Sequence, residues 1–165
     1  MKQADLLAAI REGRARLDAA LEGLTPEQML ASGAAGEWSV KDVLAHITAC
    51  EVYLLTSLFK AQRGQKAAKM ELTEAEVEAQ NQKWYREYRD RPLENVLADY
   101  HGVHRQLLRV VEGLKDKDLA GRDPWGHGKP LASFFQEYAP DHEAEHLPDV
   151  LAWRKAQARG SNGAG

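Results

Sequence analysis

The residues best suited to chemistry lie near the end of the chain, where residues 141–147 read DHEAEHL. His142 and His146 are four residues apart, so in a helix their side chains stand one turn, about 5–6 Å, from each other. Two imidazoles at that spacing can reach one metal ion at about 2.0–2.1 Å. With Glu143 the stretch matches H-E-x-x-H, in which zinc proteases use the histidines as ligands and the glutamate as the base that activates water.

The rest of the sequence argues against a protease. Such an enzyme needs a further ligand downstream, yet after His146 the chain has no His or Glu, only Asp149. Pro148 disturbs the helix two residues after His146, and no strand is expected along which a peptide substrate would bind. By helical spacing Glu143 and Glu145 point away from the histidine face, so both are expected on the solvated surface.

A third nitrogen ligand is available upstream at His46, in the stretch EWSVKDVLAHI. It borders an apolar stripe that includes Val43, Ile47 and Cys50, so it is expected to face or border a helix-bundle interior. A single His in that position is more often a core residue satisfied by a hydrogen bond. The pair at His142 and His146 favours a metal-ligand role for His46 instead, because helix bundles build metal sites from inward-facing side chains on different helices. Three neutral imidazoles would leave a coordination position open for water or a thiol.

Two acids and one cysteine lie close to these histidines in the sequence. Asp149 could accept the second N–H of a ligating histidine. Asp42 could do the same, but it is better explained as part of a helix cap. Cys50 is expected to be a core residue, because neither a helix N-terminus nor a neighbouring cation is present to lower the pKa of its thiol.

A pocket wall is predicted from side chains that recur at helical spacing. Asn81, Trp84 and Tyr88 share one face of a helix, and an amide on an aromatic face suits a bound ligand or a backbone group equally well. Tyr53 follows His46 by seven residues, nearly two turns, and either lines the same cavity or packs in the core.

The fold class is all-α, because Ala, Leu, Glu, Gln, Lys and Arg dominate at helical spacing and no strand pattern is present. The first helical segment ends at Gly23, the second begins at a Ser39–Asp42 cap, and the third begins at a capping-box candidate formed by Thr73 and Glu76. The third and fourth segments are expected to be kinked at prolines. Four apolar stripes and long connections predict a four-helix bundle with a crossover connection. The first two apolar stripes run from Leu6 to Leu21 and from Val43 to Leu58. The third segment covers residues 73–112 and the last runs from Pro130 to about residue 157, with prolines at 92, 140 and 148.

Length and composition fit one domain, residues 1–157, followed by a disordered tail at 158–165 that is small, polar and rich in Gly. A formal net charge of −3 with mixed signs gives no overall basic footprint, so nucleic acid is not expected as a partner. The apolar runs are too short to span a membrane. No signal peptide is recognisable and the single cysteine cannot form an internal disulfide, so a cytoplasmic protein is expected.

The run GEWSVKDVLAHITACE, followed by YAPDHEAEHLPDVLAWR, resembles the DinB superfamily of bacterial four-helix bundles. WSVKDVLAHITACE, NQKWYREYRDRPLENVLADYHGVHRQLLRVVEGL and PWGHGKPL resemble its ClbS/DfsB branch more closely. The resemblance covers about residues 2 to 156. It implies a DinB/YfiT-like bundle in which His46, His142 and His146 match the three metal-binding histidines.

The same resemblance implies a divalent metal, zinc or nickel, and in related branches a low-molecular-weight thiol as cosubstrate. It therefore predicts a metal-dependent hydrolase or thiol-linked transferase that acts on a small reactive metabolite or xenobiotic, in detoxification or self-protection. Two alternatives stay open. One is a metal-free protein that binds or sequesters a small molecule, and the other is a stress-associated homodimer without catalysis.

Overall fold

The computed structural model describes residues 1–66 and 68–162, with side chains up to residue 160, and its long elements are all helices. Four of them form the bundle: α1 (Gln3–Leu21), α3 (Val40–Gln62), α5 (Leu93–Glu112) and α8 (His142–Asn162). Helix α1 packs against α5 and α8, and α3 packs against the same two helices. Successive core helices α1 and α3 therefore lie on a diagonal of the bundle. The connection between them crosses one end, as the predicted crossover requires.

Shorter elements fill the connections. Helix α2 (Pro26–Leu30) and a two-stranded antiparallel hairpin, β1 (Ser32–Ala35) with β2 (Trp38–Ser39), lie between α1 and α3. The hairpin is a correction to the expectation that no strand forms. Its turn contains Gly36 at φ 60°, a backbone conformation that glycine adopts without strain. The small residues of this stretch carry no alternating apolar pattern, so a strand is not predicted there.

The predicted third segment is two separate helices, α4 (Glu74–Tyr88) and α5, divided at Pro92. Only α5 enters the bundle, whereas α4 has no buried residue and packs on the outside of α3. The capping boxes predicted at Ser39–Asp42 and Thr73–Glu76 are both present. The first of them fixes where α3 begins, and hence where His46 falls on it.

The last segment is built from three consecutive pieces. Helix α7 (Leu131–Gln136) passes into a π-helical turn, Glu137–Asp141, which leads directly into α8; the short helix α6 (Asp116–Ala120) precedes them in the chain. Pro140 lies inside the π turn, so the predicted bend takes the form of a wider turn rather than a break. Helix α8 continues to Asn162, so residues 158–162 of the predicted tail are helical, and 163–165 lie outside the described residues.

Helix α3 is the one described helix that is long and apolar enough to cross a membrane by length and composition. The expectation that every apolar run is too short therefore needs correction. In the fold, 72% of its most apolar 18-residue window is buried. Contacts with α5, α8 and α4 on several sides bury the helix and account for this composition.

One buried cation joins all four bundle helices. Arg14 on α1 donates through Nε to Glu143 Oε1 on α8 (2.6 Å) and through Nη2 to Glu51 Oε1 on α3 (2.9 Å). It also donates through Nη1 to the carbonyl oxygen of Tyr100 on α5 (2.9 Å), and its guanidinium carbon lies 3.7 Å from the centre of that ring. His104 on α5 is buried beside this group, 3.8 Å from Glu51, as expected for a core histidine. We call these five residues the arginine hub.

Glu143 is therefore not on the surface, as its helical spacing had predicted, but only 2% exposed. The reason is that α8 contacts α1 as well as α3, so a second face of α8 is buried. Gly13 makes this possible, because a Cβ there would lie 2.9 Å from Glu143 Oε2 and 3.3 Å from Pro140 Cα. Glu145, in contrast, is exposed as predicted.

Replacing Arg14 by methionine would leave Glu51 and Glu143 buried without a counter-charge. We expect the free energy of unfolding, measured by urea denaturation, to fall by about 3–5 kcal/mol. Arg11→Met is the matched control on the same helix, because Arg11 pairs with Glu112 at the surface and should change stability by less than about 1 kcal/mol. Equal losses in the two variants would show that the hub has no special role.

Candidate metal centre

The three predicted ligands come together where α8 begins against the middle of α3. His46 Nε2 lies 3.0 Å from His142 Nε2, and His146 Nε2 lies 3.2 Å from the same atom. The three rings meet edge to face, with centres 4.8–5.0 Å apart. His46 is 7% exposed, and the other two side chains are partly buried.

The chemistry of this group fits a bound cation. Burial, together with the neighbouring imidazoles, lowers the pKa of His46 to about 4 and that of His142 to about 3. The rings are therefore neutral, which is the ligand form of histidine. A neutral ring nitrogen offers one hydrogen or one lone pair, so His142 Nε2 can make a good hydrogen bond with only one of its two neighbours. A metal with bonds of 2.0–2.1 Å in tetrahedral geometry would set the nitrogens roughly 3.3–3.4 Å apart, close to the observed spacing.

The ring nitrogens that point away from the proposed metal position have few hydrogen-bond partners. The Nδ1 atoms of His46 and His142 are buried without a hydrogen-bond partner in the described residues, whereas metal-bound histidines usually donate that N–H to a carboxylate or carbonyl. Asp149, predicted for this role, is exposed and makes no described hydrogen bond to a histidine. Burial lowers the pKa of His146, and Asp149 and Glu145 act in the opposite direction through their charges. An outer-shell role of Asp149 stays a prediction.

A pocket of about 190 Å³ opens beside the histidines, between α3, α4 and the π turn. Its wall includes Cys50, Tyr53, Asn81, Trp84, Tyr138 and His142. The Trp84 ring lies 6.2 Å from His46 and 5.7 Å from Tyr53, edge to face. Three of the side chains predicted for a pocket, at positions 53, 81 and 84, thus line one cavity with a metal-ligand candidate.

Tyr88 does not join them. It lines a separate cleft of about 220 Å³ on the other side of α3, together with Arg91 and Asp99. Helix α4 ends at Tyr88, and seven residues of helix advance about 10 Å beyond Asn81. A shared helix face therefore does not bring Tyr88 to the histidines.

Two aromatic side chains beside the site, Trp38 and Tyr138, are not among the predicted pocket residues. Trp38, in the hairpin, lies 5.2 Å from the His46 ring and stacks on Tyr85 of α4. Tyr138 lies in the π turn and stacks at 6.4 Å on Tyr53. No helical periodicity could assign it, because a π turn shifts the phase of the side chains.

The sequence profile of the DinB superfamily matches residues 9–149, which include all three histidines. The chain belongs to the DinB superfamily. No curated protein matches the sequence at a significant level. Among solved structures, an uncharacterised protein from Escherichia coli UTI89 superposes with a TM-score of 0.84 at 19% identity, covering 95% of each chain.

Two further structures support the ClbS/DfsB resemblance. The colibactin self-resistance protein ClbS, in complex with double-stranded DNA, has a TM-score of 0.83 and 19% identity over 93% of this chain and 96% of its own. DfsB, described as a sibling lethal factor precursor, has a TM-score of 0.83 and 17% identity over 95% and 97%. At these identities the likeness establishes the all-α fold.

The ClbS complex overturns one expectation. Nucleic acid was excluded as a partner from the net charge, yet a protein of this fold binds double-stranded DNA. Net charge averages over the whole surface, whereas a DNA contact depends on a local cluster of cations. That exclusion was wrong.

The shifted histidines predict a pH effect on metal-free protein. Their folded pKa values lie below the value near 6.5 of an unfolded chain, so the unfolded chain binds more protons between about pH 6.5 and 4. Stability is unaffected above this window and decreases as the pH falls through it. We expect His46→Gln to remove about 3 kcal/mol of that decrease, at about 1.4 kcal/mol per pKa unit, in urea denaturation with chelator present.

The control for this measurement is His101→Gln, because His101 is exposed and lies outside the histidine group. A wild-type curve parallel to that of His46→Gln from pH 7 to 4 would contradict the assignment of His46 as a neutral, buried imidazole.

Proposed function

We propose that this protein is a divalent-metal-dependent enzyme, a hydrolase or thiol-linked transferase, that acts on a small reactive molecule. The observation that carries the proposal is the convergence of three neutral imidazole nitrogens at the wall of an aromatic pocket. His142 belongs both to the histidine group and to the pocket lining. A molecule in the pocket therefore lies against the proposed metal position.

The chain's own residues have distinct tasks in this proposal. His46, His142 and His146 hold the ion, and their low basicity keeps them available as ligands at neutral pH. The rings of Tyr53 and Trp84 offer apolar faces for a flat or aliphatic group, and Asn81 offers an amide that can orient a polar one. When bound, a zinc or nickel ion would supply a Lewis acid that deprotonates water or a thiol near neutral pH.

The size of the pocket limits the substrate. About 190 Å³ is below the usual 300–1,000 Å³ of sites for drug-sized ligands. The pocket suits a small molecule or one reactive end of a larger one. Self-resistance, the role named for ClbS, supports a protective function for this chain, in which an electrophilic compound is converted before it causes damage.

Metal analysis tests the metal-dependent function. Protein purified without a polyhistidine tag should contain about one equivalent of zinc or nickel, or take it up after chelation. Alanine at position 46, 142 or 146 should weaken metal binding more than tenfold, which is the low end for even an outer-shell loss. His101→Ala should bind normally. Wild-type protein that takes up less than about a tenth of an equivalent would exclude this function.

The alternative is that the protein sequesters a small molecule without a metal. It can be distinguished from the metal-dependent enzyme by comparing variants in cells that are challenged with electrophilic compounds. If the protein is a metal-dependent enzyme, both His142→Ala and Trp84→Ala should fail to protect the cells. If every histidine variant protects fully and Trp84→Ala alone fails, the pocket acts by sequestration instead.

DNA binding is a second candidate function, favoured by a basic segment at the end of α3. Residues 52–70 contain no Asp or Glu but four cations, Lys60, Arg63, Lys66 and Lys69. All four are exposed, and only Lys69 has an ion-pair partner, Glu76, among the described residues. The segment borders an open groove that also contains Trp125 and His127. Such a cluster can neutralise phosphates despite the negative net charge.

Charge removal tests this candidate. The triple variant Lys60→Gln, Arg63→Gln, Lys66→Gln should weaken binding to a double-stranded oligonucleotide and reduce the salt slope by about 2–3, at about 0.9 per phosphate contact. The control, Lys83→Gln, Lys117→Gln, Lys155→Gln, removes the same charge from exposed positions elsewhere. Absence of wild-type binding, or equal loss in the control, would rule the segment out as a DNA contact.

A further inference from the structure

The only cysteine of the chain lies against the histidine group. Cys50 Sγ is 4.0 Å from His142 Nε2. The potential ligand atoms of His46, Cys50 and His142 all lie within 4.8 Å of one another. Cys50 also lines the aromatic pocket, so it stands at the boundary between the histidines and the cavity.

The potential ligands on α3 and on α8 have the same spacing along their helices. His46 and Cys50 are one turn apart on α3, and His142 and His146 are one turn apart on α8. Three of these four residues, His46, Cys50 and His142, form one group of potential ligands, and His146 Nε2 lies 3.2 Å from the His142 Nε2 atom of that group. Bundle proteins build metal sites from side-chain pairs on facing helices in this way.

We propose that Cys50 is the fourth protein ligand of the metal, which completes a set of three imidazoles and one thiolate. A tetrahedral ion with a sulfur bond of about 2.3 Å and nitrogen bonds of 2.0–2.1 Å places sulfur and nitrogen roughly 3.6 Å apart. The observed 4.0 Å is a few tenths longer, within reach of a small χ1 adjustment. This inference rests on the proposed metal site.

The surroundings of Cys50 agree with a ligand rather than a nucleophile. Burial raises the pKa of the thiol to about 12, and the charges of Glu51 and Glu145 act in the same direction. Coordination forms a sulfur–metal bond as the thiol proton leaves to solvent, and the same two carboxylates then favour the bound cation.

Two consequences follow for the site. A thiolate favours zinc, cobalt or cadmium over magnesium or manganese, which prefer oxygen ligands. A fourth protein ligand also fills the position that three histidines would leave open. A substrate group would then bind by expansion to five ligands or by displacement of Cys50.

Cobalt(II) substitution tests the inference without an activity assay. A thiolate bound to cobalt gives a sulfur-to-metal charge-transfer absorption in the near ultraviolet, which imidazole ligands do not give. Because the chain has one cysteine, such a band can come only from Cys50. Chelator-treated, untagged wild-type protein should show the band at one equivalent of cobalt. Cys50→Ser and Cys50→Ala should lose it while still binding cobalt through the histidines.

The possible results separate this inference from the proposed function. Stoichiometric cobalt binding without the band in the wild type would overturn the role of Cys50 and leave the histidine site intact. No cobalt binding by the wild type would overturn both. Iodoacetamide labelling of wild-type Cys50 gives a second readout that needs no variant: zinc should slow it at least tenfold, and an unchanged rate would contradict ligation.

Discussion

The structure depends on one desolvated cation. Arg14 is 4% exposed and binds groups on each of the three other bundle helices. Replacing such a group by apolar residues is often neutral for stability, and its attested use is to select one arrangement among several. Here the arrangement matters for chemistry, because the two carboxylates that Arg14 binds directly neighbour candidate ligands in sequence. Glu51 follows Cys50 on α3, and Glu143 follows His142 on α8. The hub thereby sets the register of these helices and brings their ligands together.

The backbone before α8 is adapted to the same constraint. Pro140 cannot donate a backbone hydrogen bond, and the chain takes a π turn there instead of a regular helical one. The first α-helical residue after that turn is His142. Gly13 allows α1 to approach this turn closely enough for Arg14 to reach Glu143. A bulkier residue at position 13 would move the start of α8, and with it two of the three histidines, so the local packing and the site cannot vary independently.

Much of the site was predictable because its signals are local or chemically specific. The i, i+4 histidines, the capping boxes at Ser39 and Thr73, and the shared face of Asn81 and Trp84 on α4 depend on neighbours within a turn or two, and the structure contains each of these local arrangements. Glu143 was mispredicted because helical spacing does not reveal how many partners a helix has. Tyr88 was wrongly predicted to line the same pocket as Asn81 and Trp84. Residues that share a helix face can still lie far apart along the helix axis, and Tyr88 is the last residue of α4. The exclusion of DNA failed for a related reason, since a net charge conceals the acid-free stretch that ends in Lys69.

The arginine hub and the histidine group use neighbouring residues of α3 and α8. The hub contains charged side chains, whereas the histidines are neutral. In the arginine hub, Glu51, Glu143 and His104 offer ligand atoms within 4.8 Å of one another, but the guanidinium of Arg14 binds both carboxylates and leaves no need for another cation. The histidine group has neutral donors and no cationic side chain in described contact with them. Burial raises the pKa of Glu143 to about 7 against the opposing effect of Arg14, so the hub has no fixed excess of negative charge at neutral pH. The charge of Glu51 nevertheless acts at Cys50, and a divalent ion among the histidines would be attracted by it in a medium of low dielectric constant. The hub therefore holds its own cation, Arg14, while its Glu51 carboxylate favours a second cation at the neighbouring site.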